Sequence, residues 1–310
     1  MEHKSVLASE VLEVLKLKKG DTVIDATLGL GGHGLEILKQ IGKSGKLIGF
    51  DADERNLTEA KKRLKDYKKQ IVYINDNFRY LKTRVIGKKV DKVLFDLGIA
   101  SPHVDEPDRG FSFLKDGPLD MRFDSKQPLN AEVVVNTYPE LELIRIFSEY
   151  GEERLSKTIA KRICEERKTH KISTTTELAE LIKRAYPYKI ISKLKHHPAT
   201  QVFQALRIEV NDELNALRDG LRGAIEVLKV GGILAVISYH SLEDRIVKNF
   251  FRDLERPPAQ GEELIYSVSG DPFIKIITKK PITPSQKEIE ENPRSRSAKL
   301  RVAKKLKAVT

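Results

Sequence analysis

The sequence has little sulfur and no tryptophan: one cysteine and two methionines in 310 residues. Cys164 alone can form neither an intrachain disulfide nor a thiolate metal cluster, so nothing staples the fold and thiolate zinc is excluded; His196 and His197 have no ligand partners at metal spacing, so no other metal site is expected. Nowhere does the chain approach the ~18 consecutive apolar residues of a membrane-spanning helix. The opening MEHKSVLASEVLEVL alternates charges, whereas a secretory leader is positive and then apolar. A cytoplasmic location is the expectation. Internal repeats are absent too. With 40% hydrophobic and 33% charged residues, the chain is too apolar for disorder and too charged for a membrane bundle. Its length suggests about two domains.

What is plentiful is positive charge. Lys plus Arg outnumber Asp plus Glu by 56 to 45, a net +11. The excess gathers in two places, 183–195 and 293–310, the latter with seven basic residues and no acid. Such a surplus suits a polyanionic partner, although a merely soluble protein also tolerates it.

Hydrophobic patterning divides the chain. Val11, Val14 and Leu15 share one face of an opening helix, and buried strands are expected at 22–27, 46–50, 71–75 and 91–97, with helices at 34–41 and 54–66 between them. This rhythm predicts an α/β fold, a parallel sheet covered on both faces. From about 104 to 205 strand runs give way to a Pro/Gly/Asp-rich loop and helical segments at 139–150, 154–167 and 176–185. An inserted helical domain at 104–205, interrupting a domain made of 1–103 and 206–310, is the economical arrangement. Strand character returns at 231–239, and 263–269 with 273–279 read as a closing antiparallel hairpin. Five parallel strands plus that hairpin are the plan of a Rossmann-like methyltransferase sheet.

DATLGLGGHG, residues 25–34, follows a strand and opens a helix. Gly29, Gly31 and Gly34 satisfy G-x-G-x-x-G, and Asp51 stands where a ribose-binding acid is expected, about 20 residues on. The glycines alone admit NAD as readily as S-adenosylmethionine. Asp25 bears on the choice: a carboxylate at the end of the first strand disfavours a pyrophosphate and favours an ammonium and a sulfonium. Asp25 as a loop cap, with glycines serving only a tight turn, is the alternative. Phe78, after the third strand, is placed to stack on adenine or to pack in the core.

Asp96 opens DLGIASPH at the end of the fourth strand, where ligands bind in open α/β sheets. A carboxylate there could accept hydrogen bonds from an exocyclic base amine, a poor nucleophile because its lone pair is conjugated, or it could contact a cofactor. His240 in SYHSLEDR follows the fifth strand and could take the proton the methylated amine must lose, or hold its loop by hydrogen bonds.

These segments, together with HKSVLASEVL, GFDAD, DNFRYL, RGFSF, GPLDMRFD, HPATQVFQALRI and NPRSRSAKLR, resemble the ribosomal RNA small-subunit methyltransferase H family, also called MraW, over nearly the whole chain. The resemblance implies S-adenosylmethionine-dependent methylation of cytosine N4 in 16S ribosomal RNA, at the decoding centre of the small subunit, by a methyltransferase domain carrying an inserted helical domain. It assigns the cofactor to Gly31, Gly32, His33, Asp51, Phe78, Asp96 and His103. Chemistry falls to Asp96 and His240, and the approach of the RNA to Arg109, Phe111, Asp120 and Arg122, each of which could instead be structural. The basic C-terminal segment is expected to attract phosphates. Ser5, Gly34, His103 and Gln201 depart from the family's usual proline, serine, glutamine and basic residue. An amine methyltransferase acting on another nucleic acid, or a ribosome-assembly factor without catalysis, are the competing readings.

Overall fold

The computed structural model describes residues 5–194, 196–256 and 272–308. The chain divides into two compact units, Met1–Gly98 with Leu214–Thr310, and Ile99–Glu213. The sequence pattern puts these boundaries at 103 and 206.

In the first unit, β1 (Thr22–Asp25), β2 (Lys46–Asp51), β3 (Ile71–Asn75), β4 (Val90–Asp96), β5 (Leu228–Ser238), β6 (Ile274–Ile276) and β7 (Lys299–Lys305) form one sheet in the order β3-β2-β1-β4-β5-β7-β6. The first five are parallel, with Val23 opposite Leu47 and Lys92, whereas β7 runs antiparallel to both β5 and β6. This is an open, Rossmann-like α/β sheet. Its inner parallel strands read largely as apolar runs because both faces are covered, whereas edge strand β3 leaves Val72 exposed. Ile24, Ile48, Val93, Phe95, Leu234 and Val236 enter one core, while Val23, Leu47, Leu94, Ile233, Ala235 and Ile237 enter the other. Alternate residues thus feed opposite layers, each buried side chain contributing about 1.5–3 kcal/mol. Helices Gly32–Ile41 and Glu54–Arg63 make the crossovers, and Asp53 caps the second by accepting the Arg55 amide at 2.9 Å.

One expectation falls partly outside the described residues and another is corrected. Of the closing hairpin, 263–269 lies outside the described residues, and 273–279 contributes only β6, which pairs with β7. The basic segment at 293–310 is not a phosphate-seeking tail over its length: it makes the turn Pro293–Ser297 and then β7. Leu300 and Val302 are buried, Arg301 binds Asp244 at 2.6 and 3.2 Å, and buried Lys305 donates to the Ile225 and Leu228 carbonyls at 2.5 and 2.7 Å. The period of two was hidden by lysine and arginine stems that bury as readily as aliphatic chains once their heads are paired.

The second unit is helical. Helices Ala131–Thr137, Glu140–Glu149, Ser156–Glu166, Thr175–Ala185 and Thr200–Asn211 enclose a core that includes Val134, Leu143, Phe147, Ile159, Ile163, Leu178, Ile182 and Leu206. Thr174 and Glu177 form a capping box at the start of one of them. Among the described residues no helix is long and apolar enough to cross a membrane.

Candidate functional site

Three adjacent parallel strands end on acids: β2 on Asp51, β1 on Asp25 and β4 on Asp96. They line the carboxyl rim of the sheet, the edge at which open α/β folds take ligands.

The glycine loop follows from β1. Gly31 has φ +77°, which favours glycine, and a Cβ there would also crowd the Leu64 side chain at 3.1 Å. It precedes helix Gly32–Ile41, whose first turn carries His33. Asp51 ties the loop to β2: one carboxylate oxygen accepts the Gly29 amide at 2.8 Å, the other the Asp53 amide at 2.8 Å and the Asn56 side chain at 3.3 Å. Two of the departures from the family pattern have a local account. Ser5 Oγ lies against the open face of Gly32, and a side chain at Gly34 would press on Leu28 at 2.9 Å.

Asp25 is buried, with Oδ1 accepting the Thr27 amide at 3.3 Å and Oδ2 without a hydrogen-bond partner. Burial pushes its carboxyl up to about 7, against the opposing pull of His33. His33 is buried too; burial opposes its charge, but the carboxylates of Asp96 and Asp25 raise it above the ordinary imidazole value. Its Nε2 stands 3.4 Å from Asp96 Oδ2, a charge contact without the alignment of a hydrogen bond. Asp96 itself is fixed twice more. Its amide donates to Thr27 Oγ1 at 2.6 Å, and Oδ1 accepts the Tyr239 hydroxyl at 2.7 Å.

Phe78 is half-buried, set edge-on to Phe95 at 5.4 Å, and a Cβ on Gly220 would strike its ring at 2.7 Å. Gly31, Gly32, His33, Asp51, Phe78 and Asp96 therefore all belong to the first unit. His103 belongs to the second, on the short helix Ser101–Asp105, where its Nδ1 accepts the Ala100 amide at 3.1 Å and its ring lies 4.9 Å from Phe111 and 5.2 Å from Phe123.

His240 caps helix Ser241–Glu255. Its Nδ1 accepts the Glu243 amide at 3.5 Å, while Glu243 accepts the Tyr239 and His240 amides at 2.8 and 3.2 Å. An accepting Nδ1 leaves the ring proton on Nε2, which faces Glu243 Oε1 at 3.2 Å. This arrangement favours the loop-holding role over proton acceptance. In the second unit, Arg109 donates to the Arg122 carbonyl at 3.0 Å, Phe111 stacks on Phe123 at 5.4 Å, and Arg122 grips Asp120 at 2.7 and 2.9 Å. These contacts are internal to its loop.

The sequence pattern passes over Tyr239 and Thr27, although both stand inside the quoted motifs. A tyrosine after a strand reads as core; only the strand register shows its hydroxyl reaching Asp96.

A family model described as the MraW methylase family matches residues 1–306. The chain is 51% identical over 308 residues to the ribosomal RNA small subunit methyltransferase H of Carboxydothermus hydrogenoformans, covering 98% of each chain. It is 45% identical over 310 residues to the protein of that name from Streptococcus dysgalactiae subsp. equisimilis, again covering 98% of each. A solved rRNA methylase from Streptococcus thermophilus aligns with a TM-score of 0.42 and 12% identity over 97% of this chain and 94% of that one.

Proposed function

Because the chain belongs to the MraW methylase family, we propose that it moves the methyl group of S-adenosylmethionine to the N4 amine of a cytosine in 16S ribosomal RNA, at the decoding centre of the small subunit. The names of its relatives support ribosomal RNA of the small subunit as the substrate class. The observation that carries the cofactor is the rim itself: three strand-end carboxylates, one of which, Asp25, keeps a buried oxygen with no partner among the described residues. A cation bound beside that oxygen would draw the carboxyl into its ionised form and satisfy it, whereas a pyrophosphate would offer it no counter-charge in a desolvated setting.

The residues present fit such a cofactor. The loop at Gly31, Gly32 and His33 would pass close to it, Asp51 would take the ribose hydroxyls, and Phe78 would stand beside the adenine. When bound, the cofactor supplies an electrophilic methyl on a sulfonium. Asp96 would accept hydrogen from the N4 amine and so favour a geometry in which the lone pair is less conjugated with the ring. Holding amine and methyl in line is then worth up to about 7–11 kcal/mol. His240 and Glu243 would keep the loop beside that edge in place. The cytosine would enter unstacked from its helix.

Incubation with labelled S-adenosylmethionine and small subunits lacking the modification should label one nucleotide, mapped by mass spectrometry as N4-methylcytosine. No incorporation across a range of salt and magnesium would overturn the proposal. Label on a different nucleic acid would favour the other amine methyltransferase, and cofactor binding without turnover the assembly factor. Asp96→Ala should reduce transfer below detection in the same assay.

A further inference from the structure

Tyr239 has no part in the assignments so far, yet it is half-buried against the acid at the centre of them. Its hydroxyl donates to Asp96 Oδ1 at 2.7 Å. Its ring packs on Gly98, where a Cβ would come within 3.2 Å of Tyr239 Cδ2 and where φ is +99°. Its own amide is held by Glu243 Oε2 at 2.8 Å. We infer that Tyr239 is a positioning residue for methyl transfer: it occupies one oxygen of Asp96 and stops the carboxylate from rotating, so that the other oxygen is presented to the reacting amine.

The inference rests on the methyl-transfer reading and adds a residue to it. A carboxylate at a strand end turns freely about its terminal torsion, which is broad and twofold. Thr27 Oγ1 fixes the Asp96 backbone, and His33 Nε2 stands 3.4 Å from Oδ2 without hydrogen-bond alignment. Among the described residues, the Tyr239 hydroxyl is the aligned donor that distinguishes the two oxygens. Its environment keeps it a donor: burial, then the charges of Asp96, Glu243 and Glu288, push its ionisation well above the ordinary phenol value. The groups facing Asp96 include His33 from helix Gly32–Ile41 and Asp25 from β1.

The test is a kinetic double-mutant cycle on the full chain, with small subunits as substrate. Tyr239→Phe keeps the ring on Gly98 and removes only the hydroxyl. It should lower kcat by about 10- to 100-fold while leaving KM for the cofactor within about threefold, because orientation matters in the transition state more than in binding. Asp96→Asn should also be slow, and adding Tyr239→Phe to it should cost less than about threefold more, since the hydroxyl then has no carboxylate to orient. Tyr239→Ala, which lacks the ring, is the comparator for packing. Losses that multiply in the double variant would overturn the inference, as would a Tyr239→Phe enzyme with full kcat. A wild type that transfers nothing would sink the methyl-transfer reading, and this one with it; an active wild type with independent losses sinks this one alone.

Discussion

Asp25 is an acid that the fold holds at a cost. Its buried carboxyl titrates near about 7 against an ordinary 3.8, so between those values the native state keeps a proton that the unfolded chain has released. Stability from this group is present below about pH 4 and lost as pH rises through 7. Asp25→Asn should therefore melt higher than the wild type at pH 8 and close to it at pH 4, as scanning calorimetry can measure. His240 carries a second expectation. Asparagine is among the best helix caps but cannot accept a proton at neutral pH. His240→Asn should keep most of the transfer rate, whereas His240→Ala should lose rate as its loop loosens; an inactive asparagine variant with an unchanged melting curve would make His240 the proton acceptor. At this scale the acids were legible, because each terminates an apolar run. Tyr239 was not, since an aromatic beside a strand looks like packing until the opposite strand's register is known.

Elements were legible in proportion to how apolar their own residues are. β1, β2, β3 and β4 could be read as apolar runs. β7 could not, because its sequence KLRVAKK has as many lysines as a solvated tail. What turns it into an interior strand is pairing: Arg301 with Asp244, and Lys305 with two carbonyls at the junction of helix Glu213–Val227 and β5. Lys305→Ala should therefore cost about 2–3 kcal/mol in urea unfolding, since two buried acceptors lose their donor. Lys304→Ala, at an exposed neighbour, should stay within about 0.5 kcal/mol.

Across the whole molecule, the break in strand rhythm near residue 104 announced the helical insertion, but its edges could not be read, because helix Thr200–Asn211 continues an amphipathic pattern into Glu213–Val227. Withdrawal of β7 from the surface leaves the other basic cluster as the better candidate for phosphate binding. Lys183, Arg184, Lys189 and Lys193 are all exposed in the second unit, with Tyr188 84% exposed among them. Reversing Lys189 and Lys193 to glutamate should weaken binding to small-subunit RNA and reduce the slope of log affinity against log salt by about one for each phosphate no longer neutralised. A slope equal to that of the wild type would place the RNA elsewhere on the surface.

The late position of β7 in the chain has a consequence for biosynthesis. β5 is translated some way before the strand that flanks it, so a nascent protein already paired through β4 carries a bare row of amides and carbonyls along β5 until Lys299–Lys305 arrives. In that interval the half-made sheet is a template for a neighbour on the same polysome, and holdase chaperones would find their natural client there.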